Sequence, residues 1–223
     1  MGLIAVGNAA HGAPTVVIDP GHGGSNPGAR GAGLDEKQLT LAISIRVAER
    51  LRKRGLEVRL TRTGDRTLTL RQRVAIANQA AADVFVSIHA NASLSRARRG
   101  FETYLLTSRG VDVDARALRS DTPTPRPGVD PEISLVLDDV ERGASQWEAA
   151  DLAARMQRAL RERLGASGDR GVRQEAHHVL LGATMPAVLV EVGFLDHPIE
   201  GKQLADPQVQ DRIADAIADA VDL

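Results

Sequence analysis

Two histidines and two glutamates stand where the edge of a sheet could gather them. The first histidine ends Val16-Val17-Ile18-Asp19-Pro20-Gly21-His22-Gly23-Gly24, where an apolar run stops at Asp-Pro-Gly and delivers an imidazole into a glycine loop. The second arrives the same way, in Val84-Phe85-Val86-Ser87-Ile88-His89-Ala90-Asn91. Neutral imidazole is a good ligand for a transition metal, and catalytic zinc takes three protein ligands and keeps a fourth position open. Glu36 is the candidate third ligand. It falls at the start of a helix just after the glycine loop, from where its carboxylate can point back over the strand ends. Glu191 follows the apolar run Met185-Pro186-Ala187-Val188-Leu189-Val190. A carboxylate at the end of a buried strand is costly without a partner, and burial lifts its pKa toward the range of a general base. Each residue alone also has a plainer reading. A strand-end His can be a hydrogen-bonded structural residue, Glu36 a first-turn carboxylate favoured by the helix dipole, and Glu191 a buried ion-pair partner. Residue type and spacing leave both readings open.

The elements that would position these residues follow from periodicity. Thr15–Ile18 reads as a buried strand and Gly21–Gly33 as a glycine-rich loop. Asp35 and Gln38 have the spacing of a capping box, and Leu39, Ile43, Val47 and Leu51 give the helix after them an apolar face that ends at Gly55. Leu56–Thr61 alternates like a strand, and Leu68–Ala81 reads as a helix with Leu70, Val74 and Ala77 inward. Asp83–Ile88, Phe101–Leu106 and Ala187–Val192 are further strands. Ile133–Val140 reads as a short helix, and Trp147–Leu164 as a longer one with Leu152, Ala153, Met156 and Leu160 on one side. Asp206-Pro207 caps a last helix that turns Val209, Ile213, Ile217 and Val221 inward. The repeated β-α-β order predicts an α/β fold: a single twisted, largely parallel sheet of about six strands, flanked by helices on both faces. In such sheets function collects at the carboxyl ends of the strands.

Composition narrows the chemistry. The 223 residues fit one domain, 43% of them are hydrophobic, and only 2% are aromatic, so the core must be aliphatic. A formal charge of −1 provides no basic field for nucleic acid or an anionic membrane. The absence of cysteine rules out disulfides and thiolate metal sites, so a metal would need His and carboxylate ligands. No run approaches the roughly 18 apolar residues of a membrane span. Residues 1–14 read as an N-terminal tail or signal remnant in which His11 has no role, and residues 15–223 as one domain. Within it, about 108–145 reads as a surface excursion, since Asp121–Pro131 alone holds four of the ten prolines.

Taken in order, the motifs resemble zinc-dependent N-acetylmuramoyl-L-alanine amidases (the amidase type 3 family). Ile18-Asp19-Pro20-Gly21-His22-Gly23-Gly24 is followed by Pro27-Gly28-Ala29, by Glu36-Lys37 and by Leu60-Thr61-Arg62. Arg73, Ala77-Asn78, Ser87-Ile88-His89-Ala90-Asn91-Ala92, Gly100-Phe101-Glu102-Thr103-Tyr104 and Met185–Phe194 complete the series. The resemblance runs from about Thr15 to the end. It implies that His22, Glu36 and His89 bind Zn²⁺ and that Glu191 is the catalytic carboxylate. It also implies hydrolysis of the amide between N-acetylmuramic acid and L-alanine of the peptidoglycan stem peptide, in an extracytoplasmic setting, for wall remodelling, daughter-cell separation or lysis. Peptidoglycan or muropeptides would be the partner of a monomeric enzyme. A zinc peptidase acting on stem-peptide bonds and a non-catalytic regulator that binds wall fragments are the alternatives.

Other positions carry weaker signals. Asn91 could orient a ligand, touch substrate or form a turn. Asp19 could hydrogen-bond a liganding imidazole or brace the Asp-Pro-Gly turn. His177 and His178 read as neighbours on a strand, so at most one faces the cleft. Trp147 reads as a helix-packing residue, with sugar stacking as the alternative. The segment Ser108–Ser145, which holds the charged helix Glu132–Glu141, is where the chain departs most from the family. In division-associated members a helix in the corresponding region can cover the zinc. Glu132, Asp138, Asp139 or Glu141 could reach a metal, but a solvated surface helix is the favoured reading. An inhibitory helix at 131–142 would imply a protein activator.

Overall fold

The computed structural model describes residues 12–106, 131–175 and 177–221, with the backbone alone over 131–144. The expectations for His11 and for residues 107–130, and the side chains of Glu132, Asp138, Asp139 and Glu141, lie outside the described residues.

The chain opens with β1 (Thr15–Pro20), a two-residue pair β2 (Arg30–Gly31) and β3 (Leu34–Asp35), and helix α1 (Glu36–Lys53). Then come β4 (Glu57–Leu60), α2 (Leu70–Gln79), β5 (Val84–Asn91) and β6 (Phe101–Leu105). Helix α3 (Pro131–Leu164) leads to β7 (Asp169–Gln174), β8 (Ala187–Phe194), α4 (Glu200–Leu204) and α5 (Pro207–Ala220). Six strands form one sheet in the order β4-β1-β5-β8-β6-β7. β4, β1, β5 and β8 run parallel, β6 pairs antiparallel with β8, and β7 runs parallel with β6. The largely parallel sheet expected from the sequence is present, with one antiparallel joint.

Strand alternation sorts the side chains onto two faces. Val16, Ile18, Val84, Val86, Ile88, Val188 and Val190 face α1, α3 and α5 and build the larger core with Ile43, Met156, Leu160 and Ile213. Val17, Phe85, Tyr104, Ala187 and Leu189 face the other way, toward Ala77 of α2 and the turn holding Val179 and Leu180. By the same parity Asp19, Ser87, His89, Glu191 and Glu102 lie on this second face, and the register joins them. Asp19 pairs with Ser87, His89 with Glu191, and Glu191 with Glu102.

Local signals explain most boundaries. Asp35 and Gln38 form the expected capping box, in which Gln38 Oε1 accepts the Asp35 N–H at 3.1 Å, and Asp35 Oδ1 also accepts from Arg30. Thr69 caps α2, and Asp206 followed by Pro207 caps α5.

Four expectations need correction. The two helices expected at 133–140 and 147–164 are one continuous helix, α3. Trp147 does not pack within it: the side chain is 81% exposed. The strand near His177 lies earlier, at β7. His177 precedes a short 3-10 turn (His178–Leu180), in which His178 is exposed while His177 is half-buried against Tyr104, ring centroids 4.3 Å apart. Leu70, expected to turn inward on α2, is 48% exposed.

Candidate metal centre

The site is built on a loop held in an unfavourable shape. His22 sits at φ 58°, in the left-handed region, where a non-glycine residue costs about 1–3 kcal/mol unless its surroundings enforce it. Two buried arginines enforce it. Arg73 donates to the carbonyls of Pro20 (2.7 Å) and His22 (2.6 Å), and Arg62 to those of Pro20 (3.0 Å) and Gly21 (2.7 Å). Burial and the neighbouring Arg73 charge lower the Arg62 pKa to about 10, still charged at neutral pH. Arg73 is in turn paired with Asp19 at 2.7 Å, and Asp19 also accepts from Thr61 and from Ser87 (2.8 Å). Asp19 therefore braces the loop. The alternative, a bond from Asp19 to a liganding imidazole, is not what forms.

The loop brings three donors together. Nε2 of His22 lies 3.0 Å from Oε2 of Glu36, and Nδ1 of His89 lies 3.0 Å from Oε1. One donor atom from each of His22, Glu36 and His89 falls within 4.8 Å of the others, a grouping that could hold a metal ion. The remaining polar atoms are occupied in a way that aims these donors. Asn26 Oδ1 sits 3.0 Å from Nδ1 of His22, which gives that N–H an acceptor and leaves Nε2 facing Glu36, where it donates to the carboxylate without a metal and would offer its lone pair to one. The Ala29 N–H (2.8 Å) and the Ala90 N–H (2.9 Å) each donate to one oxygen of Glu36.

Glycine makes room at two points. A Cβ on Gly21 would fall 2.5 Å from Cε1 of His89, and one on Gly28 (φ +70°) 2.5 Å from Oε2 of Glu36. Two imidazoles and a carboxylate, with no thiolate, are a donor set suited to zinc. Burial opposes ionisation of Glu36, but the hydrogen bonds from His22 and His89 outweigh it and hold the carboxyl far below the usual range. Burial likewise opposes charging of His22, and the Glu36 contact outweighs it, so the His22 pKa is raised.

Glu191 differs from Glu36. Its Oε2 is shut off from water and has no hydrogen-bond partner. Burial, then the nearby charges of Glu36 and Glu102, push its pKa well above the carboxylate range. Of the donor trio, His89 pairs in register with Glu191 across β5 and β8, which sets the trio beside a carboxylate that favours its proton.

The profile of the N-acetylmuramoyl-L-alanine amidase family matches residues 16–222. The chain belongs to this family. It is 33% identical over 215 residues to N-acetylmuramoyl-L-alanine amidase AmiA of Escherichia coli K12, covering 92% of this chain and 74% of that protein. Among solved structures it is similar to the catalytic domain of CwlV, the N-acetylmuramoyl-L-alanine amidase from Bacillus (Paenibacillus) polymyxa var. colistinus. That match has a TM-score of 0.70 and 34% identity, over 93% of this chain and 96% of the other. Amidase AmiC2 of Nostoc punctiforme matches with a TM-score of 0.70 and 31% identity, over 93% and 94%. The fold of this family member, a mostly parallel six-stranded sheet with helices around it, is that of its structural neighbours.

Sequence reasoning missed part of the site. Asn26, four residues after His22, has no pattern of its own inside a glycine loop. Asn91 donates to Glu102 at 3.1 Å and its Oδ1 takes the Ala92 N–H, so it serves neighbouring structure. Glu102 is buried beside Glu191 and is balanced by Arg170 at 3.0 Å and Arg173 at 3.6 Å.

Proposed function

We propose that the protein is a zinc-dependent N-acetylmuramoyl-L-alanine amidase. It would cleave the amide between the lactyl group of N-acetylmuramic acid and L-alanine of the stem peptide. The observation that carries this reading is the convergence of His22, Glu36 and His89, within 4.8 Å donor to donor, beside a Glu191 oxygen with no other partner. His22, Glu36 and His89 would hold the ion and leave a fourth position open. When bound, zinc supplies a Lewis acid that polarises a carbonyl and brings the pKa of a water toward about 7.

The chain's own residues do the rest. Asn26 keeps the His22 lone pair at Nε2, and the Ala29 and Ala90 N–H groups keep both Glu36 oxygens turned inward. With the ion in place the Glu191 carboxylate would be ionised; it would receive the proton of the attacking water and pass it to the leaving amine of L-alanine, which departs as a neutral amino terminus. Its raised proton affinity suits that exchange near neutral pH.

Glu191→Ala should keep stoichiometric zinc, read by metal analysis of the purified protein, and lose amidase turnover by about 10²–10⁴-fold, the usual worth of positioned acid–base catalysis. Full activity in that variant would remove Glu191 from the mechanism. The substrate places the working enzyme outside the cytoplasmic membrane, and among the described residues no helix is long and apolar enough to cross one. The physiological setting would be wall remodelling, cell separation or lysis by a monomer. A protein activator enters only if the 131–142 segment proves inhibitory.

A further inference from the structure

The outer strands of the sheet carry a charge arrangement that the hydrolytic chemistry does not use. Glu102 on β6 is almost fully buried, and two guanidinium groups on β7 answer it. Arg170 is the more closely held. Its Nε donates to Glu102 Oε2 at 3.0 Å, and its guanidinium carbon lies 5.2 Å from the centroid of the Phe194 ring. Arg173 is engaged only loosely. Its Nε stands 3.6 Å from the same oxygen, beyond hydrogen-bond length, and its side chain is 48% exposed. The other Glu102 oxygen takes Asn91. One carboxylate therefore serves two guanidiniums, and Arg173 is the one whose charge faces solvent. The next acid along, Glu175, turns to His177 at 3.8 Å.

Register places this charge relative to Glu191. Tyr104 pairs with Leu189 of β8 on one side and with Arg173 of β7 on the other, so Arg173 shares the face that carries Glu191. Neighbouring strands lie about 4.8 Å apart, which puts β7 about 10 Å from β8. Two extended residues span about 7 Å, and the Arg173 side chain closes the remaining distance. A peptide that leaves the scissile bond above Glu191 and crosses β6 brings its second residue to this guanidinium. The sugar side of the bond is uncharged, whereas the peptide side is acidic, so charge complementarity assigns the peptide to this shelf.

We infer that Arg173, set beside the Glu102–Arg170 pair and the edge-to-face pair of Tyr104 and His177, binds a free carboxylate on the second residue of the stem peptide. It makes the enzyme prefer acidic stems over stems amidated at that position. Guanidinium and carboxylate form a charge-assisted, two-pronged contact that a carboxamide cannot reproduce. The inference rests on the amidase reading and adds a specificity residue to it.

The test uses the zinc-loaded full chain and two muropeptides that differ only in a carboxylate or a carboxamide on the second peptide residue. Wild type should cleave the acidic form with the higher kcat/KM. Arg173→Gln should lower kcat/KM for the acidic form by about ten- to a hundredfold, chiefly through KM, and change the amidated form less than about threefold. Arg173→Lys, which keeps the charge but loses the fork, should fall between. Calorimetry with the two product peptides should show the same ranking in wild type and lose it in Arg173→Gln. Equal losses on both substrates, or no acidic preference in wild type, would overturn the subsite while leaving the amidase reading intact. Cleavage of neither substrate by wild type would overturn the amidase reading and the subsite with it.

Discussion

Two carboxylates on one site face are driven in opposite directions by their neighbours. Glu36 is ionised because two imidazoles and two backbone N–H groups point at it; Glu191 favours its protonated form because it is buried beside the charges of Glu36 and Glu102, with its Oε2 unpartnered. That division separates a metal-holding group from a proton-carrying one. It also carries a stability consequence. In the metal-free chain the Glu191 pKa is raised on folding, so between the unfolded value of about 4.3 and the folded value the native state binds the extra proton. Its contribution is full below the unfolded value and is lost as pH rises through the folded one. Glu191→Gln should therefore raise the melting temperature of the chelator-treated protein at pH 8 and change it little at pH 4. An equal or lower melting temperature at pH 8 would show that Glu191 ionises without penalty. The four residues of this site were legible as residue types at strand and helix ends. Asn26 and Glu102 were not, because their significance lies in what they touch rather than in any spacing.

At the scale of elements, the helices are held to the sheet by apolar faces and to each other by a ladder of charges. Arg46, Arg50 and Arg54 recur every fourth residue along α1 and just past its end. Asp211, Asp215 and Asp219 recur every fourth residue along α5. Arg46 meets Asp211 at 3.3 Å, Arg50 meets Asp211 at 2.8 Å and also Asp215, and Arg54 meets Asp219 at 2.5 Å. Partly exposed pairs of this kind contribute about 0–1 kcal/mol each, whereas a fully buried aliphatic residue contributes more. Arg50→Met should cost less than about 1 kcal/mol in urea unfolding, and the difference should shrink in 1 M salt. Ile43→Ala in the same helix should cost about 2–5 kcal/mol at either salt concentration. A larger loss at Arg50 than at Ile43 would reverse this ranking.

The same contrast explains which elements could be read from sequence. α1, α2, α5, β1, β5 and β8 carry apolar periodicity or unbroken apolar runs and were found near their observed bounds. β7, Asp-Arg-Gly-Val-Arg-Gln, has one apolar residue because it lies at the edge of the sheet, where charged side chains are usual. The join between residues 133–140 and 147–164 was missed because Gly143 and Ser145 interrupt the apolar pattern without breaking the helix.

For the molecule as a whole, the sheet divides structure from chemistry. Among the described residues, α1, α3 and α5, with Leu204 of α4, pack the larger core on one face, and α2 and a single turn pack on the other. The donor trio, Glu191 and the Arg173 shelf lie on the side of that second face, and the proposed substrate path crosses β5, β8, β6 and β7 in turn. The overall class, α/β with a mostly parallel sheet, followed from the alternation of elements. The face that carries the chemistry followed only from the register. The most direct test of the central claim is mass spectrometry of purified sacculi digested by the protein with and without a chelator. The account predicts soluble stem peptides with a new L-alanine amino terminus and glycan strands with free lactyl groups, both lost with the chelator and restored by added zinc. Cleavage within the stem peptide instead, or release that the chelator leaves untouched, would contradict it.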